Sequence, residues 1–435
     1  MLKSASTLCV LMCVAACGSN GGAGPIRSAS PVPSVPAGAP SSPTSAAAAT
    51  AIPSPSPIPT AALSSRFIAA SKPGPGFSVA LSGGGASLVG ADFANDTKGA
   101  AYLFSSGEAV DSSDNNAPWI LEEKLAPSDS ASGDLFGSAV ALSTDGSRAL
   151  VGAPGKRGGI GAAYVFIRSG GSGASFWHGA SWAQQELMVT DPTRGDLFGS
   201  SVALNDNGTA ALIGAPGVNG GRGAVFYFVL GIAGWSLLQE LTPNDAAPDA
   251  RFGCSVSLSL DGSTVVVGAD GKDGLTGSAY VFTLGGDWAQ QEELRSGAPG
   301  SEFGYSVAAG PGGILIGSKD AAYAFSADTG WAQAQRLPLT PSGGDGYSVA
   351  LSADGSTALV GALGTGAAYL FSWGGATWGG EQVLRQSTDS SSSAGLGYSV
   401  CLSIDGSIAA IGDKGMSVFD GAYVFAPGPM RLAIP

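Results

Sequence analysis

The chain has 435 residues, with 33 acidic against 20 basic side chains and a formal net charge of −13. That balance excludes a nucleic-acid backbone as partner, because holding phosphates requires clustered lysine and arginine. The one histidine, His178, lies in an insertion from Gly170 to Ser181, which argues against a histidine-based triad or a multi-histidine zinc centre.

Residues 1–16 read as a processing segment, with Lys3 as the positive start, an apolar run from Thr7 to Ala16, and the small-residue end Val14-Ala15-Ala16-Cys17. The apolar run falls well short of the roughly 20 residues a bilayer-spanning helix needs. Its four-residue end resembles a bacterial lipobox. The resemblance implies that Cys17 becomes the lipidated first residue, and that Gly18 and Ser19, with no Asp after the cysteine, direct the chain to an outer membrane where there is one. Residues 17–62 are rich in Ala, Ser and Pro, with no aromatic residue and a single charge at Arg27. Such a stretch cannot bury enough apolar surface to fold. As a coil it would reach about 40 Å, long enough to act as a stalk.

Residues 63–435 carry one pattern seven times. In its clearest copy, Phe136-Gly137-Ser138-Ala139-Val140 leads to a turn at Asp145-Gly146, then to Leu150-Val151-Gly152-Ala153-Pro154, Gly161-Ala162-Ala163-Tyr164-Val165-Phe166 and an outer run opening at Trp182. The opening glycine recurs at Gly76, Gly137, Gly199, Gly253, Gly304, Gly346 and Gly397. Alternating Val, Leu, Tyr and Phe mark strands. Asp145-Gly146, Asn207-Gly208, Asp261-Gly262, Asp354-Gly355 and Asp405-Gly406 suit tight hairpin turns. Each unit is therefore a four-stranded antiparallel meander, and the predicted fold is all-β, a seven-bladed β-propeller.

The outer run begins at Trp119, Trp182, Trp235, Trp288, Trp331 and Trp378, and no seventh follows Tyr423-Val424-Phe425. Ser65 to Ser71 looks like the tail of such a run. The N-terminal segment is thus expected to supply the last blade's missing strand, burying Phe67 and Ile68 and covering a sheet edge. Cys254 and Cys401 fall in innermost strands three repeats apart, so they are expected as separate buried thiols.

Phe-Gly at the head of the unit and Gly-Ala-Pro at its second strand, as in Gly152-Ala153-Pro154 and Gly214-Ala215-Pro216, resemble bacterial FG-GAP repeats and, more distantly, the propeller of integrin α subunits. Gly317-Ser318-Lys319, Gly361-Ala362-Leu363 and Gly412-Asp413-Lys414 depart from the triplet, and Gly346 and Gly397 lack the preceding Phe. The relatives often hold calcium between the first two strands. Here that loop, as in Ser143-Thr144-Asp145-Gly146-Ser147, offers one carboxylate where the ion needs six to eight oxygens, so no metal and no cofactor is expected. Oxygen-rich loops at Asp92, Asn95 and Asp96, at Asp111 and Asp114, and at Asp270 and Asp273 read as solvated.

Arg194-Gly195-Asp196 spells an adhesive tripeptide, but Gly133-Asp134-Leu135-Phe136 occupies the equivalent position, so its Gly and Asp belong to the repeat. No Asp or Glu stands apart from the repeat as a buried acid, and the glycine-rich segments lack the helix and Lys-Ser or Lys-Thr of a phosphate loop. What remains is a face. Lys156, Arg157, Arg222, Asp270, Lys272, Asp273, Lys319 and Asp320 fall in second-to-third strand loops. Asp134, Arg194, Asp196, Asp249, Arg251 and Glu302 fall in inter-blade loops on the same side. Loops on a rigid scaffold commonly carry binding. The sequence thus points to a non-enzymatic, lipid-anchored envelope protein, monomeric, that binds a protein or glycan through this face. An architectural part in an envelope assembly, or a propeller hydrolase, are the alternatives.

Overall fold

The computed structural model describes residues 65–67, 77–83, 85–92, 97–106, 119–169, 181–337, 339, 348–385, 395–413 and 422–425. The predicted signal segment, Cys17, the linker, Ile68 and His178 lie outside the described residues. Among those described are seven sheets of four antiparallel strands. Blade 2 is representative, with strands Val140–Leu142, Arg148–Ala153, Ala162–Ser169 and Ser181–Leu187. The burial patterns follow the alternation expected of the sequence: second and third strands are buried along nearly their whole length, whereas the outer strand Trp119–Leu125 is largely exposed.

The last blade completes itself as expected. Its outermost strand is Ser65–Phe67, paired antiparallel with Ala422–Phe425 in the register Ser65↔Val424, Arg66↔Tyr423, Phe67↔Ala422. The ring then closes by packing, since Val79, Val89, Tyr102 and Phe104 of blade 1 share one apolar cluster with Ala410, Ala422 and Val424 of blade 7. The other clusters likewise fall between neighbouring blades: Leu88 and Leu103 of blade 1 meet Val140 and Val151 of blade 2, and Leu359 and Leu370 of blade 6 meet Val400 and Ile411 of blade 7. No blade buries a core alone, so the ring is the cooperative unit.

The repeated motif is the lock between blades. Phe136, Phe198, Phe252 and Phe303 are fully or almost fully buried, and each meets aromatic rings on its own blade's third strand, as Phe252 meets Tyr280 and Phe282 at centroid distances of 5.4 and 6.0 Å. The following glycine has φ near +90° and carries its backbone against the second-strand glycine of the preceding blade. A Cβ on Gly152 would stand 2.0 Å from the Gly199 carbonyl oxygen, and one on Gly268 would stand 1.9 Å from that of Gly304. Only two glycines permit this approach. A first-strand serine adds a bond where present: the hydroxyls of Ser78, Ser201, Ser255 and Ser348 donate to the carbonyls of Gly137, Gly253, Gly304 and Gly397.

The hairpins between first and second strands are stapled by side chains. Asp145 accepts from the Ser143 hydroxyl and the Ser147 amide, while the Arg148 amide donates back to Ser143. Partial burial pushes the Asp145 carboxyl up, but these bonds and nearby Arg148 outweigh it and hold it below the usual range. Asp261, Asp354 and Asp405 repeat the device. The single carboxylate of each loop is thus committed to the turn, and among the described residues no group of acidic, cysteine or histidine side chains is arranged to hold a metal ion.

Candidate binding face

In a meander of this order, the second-to-third strand loops share one side of the disc with the inter-blade loops. On that side the backbone is tightly determined. The loops Lys156–Gly159, Val218–Gly221 and Lys272–Leu275 each hold two consecutive left-handed residues, with Arg157, Asn219 and Asp273 at φ of 53°, 54° and 50°. Each loop is pressed onto the inter-blade loop entering its own blade, so that a Cβ on Gly155 would meet the Gly133 carbonyl at 2.0 Å. It is also bonded to the next inter-blade loop, with the Gly195 and Leu197 amides both donating to the Gly159 carbonyl. The face is a continuous, braced rim.

The structure redistributes the charges expected there. Lys156 and Lys272 are not surface groups: they are only 4 % and 3 % exposed. Lys156 reaches Asp129 at 2.9 Å and Asp134 at 3.3 Å. Lys272 pairs with Asp245 and with Glu293 and donates to the Tyr280 hydroxyl at 2.6 Å. Both ammoniums lie over a tyrosine ring, Tyr164 or Tyr280. Burial, and the carboxylates beside them, push both tyrosine hydroxyls far above their ordinary value, so they stay protonated. A buried ammonium persists only when paired in this way.

Most of the remaining charges are also committed. Arg157 is exposed but holds Glu186 through two bonds of 2.7 and 3.0 Å. Asp273 takes Arg295 at 3.0 Å, and Asp320 accepts from the Tyr323 hydroxyl and the Ser318 hydroxyl. Lys319 is bound to Glu302 at 2.5 Å, and Arg251 lies 3.0 Å from Asp270. Arg194 and Arg222 differ. Among the described residues neither makes an ion pair. Arg194 is exposed with its guanidinium lying over Gly158, and Arg222 is half-buried at the end of the Val218–Gly221 loop. Of the cations expected on the face, Arg194 and Arg222 are the uncommitted ones, and both belong to the loops around blade 3.

The expectation that no Asp or Glu stands apart from the repeat as a buried acid is corrected. Asp92, Asp270, Asp413 and Glu302 are all at most 2 % exposed. Asp92 and Asp270 stand where other blades carry the proline of Gly-Ala-Pro, a position turned into the ring. Burial first, then the adjoining Cys254, raises the Asp270 carboxyl well above its ordinary value, against the pull of Arg251. Asp92 and Asp270 are accordingly not solvated loop acids. Asn95, Asp96, Asp111 and Asp114 lie outside the described residues. Cys254 and Cys401 are free, as expected, and burial raises the Cys401 thiol to about 11.

Comparison with known proteins accords with this architecture. The FG-GAP repeat pattern matches residues 119–166, 182–228 and 235–282. Each match starts on the outer strand of one blade and ends on the third strand of the next, the same offset by which Ser65–Phe67 completes blade 7. No curated protein matches the chain in sequence. Among solved structures, hydrazine synthase of Kuenenia stuttgartiensis is similar with a TM-score of 0.56 and 14% identity, over 82% of this chain and 96% of that one. Sqt1 from Chaetomium thermophilum is similar with a TM-score of 0.54 and 14% identity, over 85% of this chain and 100% of its own. At such identities the likeness shows the fold alone. The chain is thus a seven-bladed β-propeller carrying FG-GAP repeats.

Proposed function

We propose that this protein is a non-enzymatic binding module, lipid-anchored through Cys17 in a bacterial cell envelope, that captures a protein or glycan through the loop face of its propeller. The observation that carries the reading is that Arg194 and Arg222 stand without an ion-pair partner among the described residues, on a rim where the other named cations are paired. A rigid rim holding two free guanidiniums suits an anionic group on the partner, for which arginine's planar fork is the preferred donor. The expected stalk of residues 17–62 would carry this face clear of the lipid.

The test is the double variant Arg194→Glu/Arg222→Glu, used with the full chain in crosslinking capture from native envelopes. Loss of the captured species with unchanged melting supports the reading. Identical capture by the variant and the parent overturns it.

A further inference from the structure

The opposite side of the disc carries the first-to-second and third-to-fourth strand loops, and among the described residues a cavity opens there beside blade 5. Neighbouring hairpins on this side are linked amide to carbonyl: Gly83 donates to Thr144, Thr144 to Asp206, and Ala353 to Ile404. Blade 5 breaks the series, because its hairpin is Gly310-Pro311-Gly312-Gly313 and Pro311 has no N–H to offer Ala353. This hairpin also lacks the serine–aspartate staple of the others, and its three glycines place no side chain in the gap. A cavity of about 200 Å³ opens between blades 5 and 6.

Its lining is chemically one-sided. Trp373 and Trp378 stand together on blade 6, with ring centroids 5.5 Å apart and a 54° tilt, and Phe325 also lines the cavity. The Trp378 strand end is fixed by Gln335 of blade 5, whose side-chain amide both accepts from the Trp378 amide at 2.7 Å and donates to its carbonyl at 2.9 Å. Two carboxylates reach the cavity, Asp328 and Asp354, and no basic residue lines it. Asp354 is held ionised by its serine bonds, while Asp328 is exposed with no hydrogen bond or ion pair to a described residue.

We propose that this cavity is a binding site for an alkylammonium group, the cation resting against Trp373 and Trp378 with Asp328 and Asp354 balancing its charge. Aromatic faces and carboxylates without a competing cation attract a weakly hydrated ammonium more than a neutral group of the same shape. The proposal is independent of the charged loop face. Two sources share the chemistry, a free quaternary amine and a methylated lysine side chain of a protein.

The experiment is calorimetric titration of the full chain with choline, with a peptide bearing trimethyllysine, with the neutral isostere 3,3-dimethylbutanol and with methyl glucoside. Choline or the peptide should bind at least about tenfold more tightly than the neutral isostere, and Asp328→Asn should weaken that binding about threefold or more while leaving the melting temperature in place. Trp373→Leu should abolish it. Tighter binding of the peptide assigns the source to a protein, and tighter binding of choline to a small amine; either supports the site. Equal affinity for the isostere, preference for the glucoside, no heat from any ligand, or indifference to Asp328→Asn overturns the proposal.

Discussion

Replacing Gly152 by alanine sets two physical effects against each other. In the interior of a strand, alanine is ordinarily preferred over glycine by about 0.5–1 kcal/mol, because glycine loses more freedom on folding. At this position, however, the new Cβ would stand 2.0 Å from the Gly199 carbonyl oxygen and 3.0 Å from its carbon. Both atoms are backbone, so no rotamer relieves the clash. Ordinary contact begins at 3.4 Å, which requires blades 2 and 3 to part by about 1.4 Å. Overpacking of this kind costs roughly 1–3 kcal/mol. The separation also loosens the cluster of Leu150, Ile213 and Phe226 across the same seam. A net loss of about 1–2 kcal/mol follows. Gly379 is the control: it lies in the outer strand Trp378–Leu384 with nothing within 4 Å of its would-be Cβ. Urea unfolding should show Gly152→Ala destabilised and Gly379→Ala unchanged or slightly stabilised. If Gly152→Ala matched Gly379→Ala, the glycine-to-glycine lock would be wrong.

Two further outcomes follow from the charge map. Lys156→Ala removes the partner of Asp134, itself only 4 % exposed, and should cost about 3 kcal/mol or more, whereas Arg157→Ala breaks a partly exposed pair and should cost at most about 1 kcal/mol; equal losses in denaturant midpoints would contradict the buried assignment. For Asp270 the folded carboxyl titrates above its unfolded value of 3.8. The folded state therefore binds the extra proton, and the group's contribution is present below that value and lost as pH rises through the folded one. Asp270→Asn should be more stable than the parent at pH 7.5, with the gap closing toward pH 4. A less stable variant at pH 7.5 would refute the unfavourable burial.

The ring was legible in the sequence because its determinants are local. Asp-Gly turns, period-two alternation and recurring glycines act within a few residues, and the missing seventh tryptophan marked the need for a closing strand. The fate of the charges was less legible, since Lys156 meets Asp134 and Lys272 meets Glu293 only after the blade has folded. One signal was available: the position filled by Lys156 and Lys272 holds Val218 in blade 3, and a site shared by lysine and valine is more consistent with a half-buried stem than with a free surface cation. The buried acids were hidden for a related reason. Asp92 and Asp270 replace a proline whose surroundings are set by the neighbouring blade, which no single unit reveals. The opening beside Pro311 was written in the sequence as a hairpin without its serine and aspartate.

Thermal melting of two chains tests directly whether the propeller is a single ring closed by its N-terminal strand. One chain begins at Leu63 and keeps Ser65–Phe67; the other begins at Lys72 and lacks it. Loss of a three-residue ladder removes hydrogen bonds worth about 1 kcal/mol each, roughly 3 kcal/mol together, and exposes the edge at Tyr423 and Val424. The shorter chain should melt about 4 °C below the longer one. Coincident melting curves would contradict the closure.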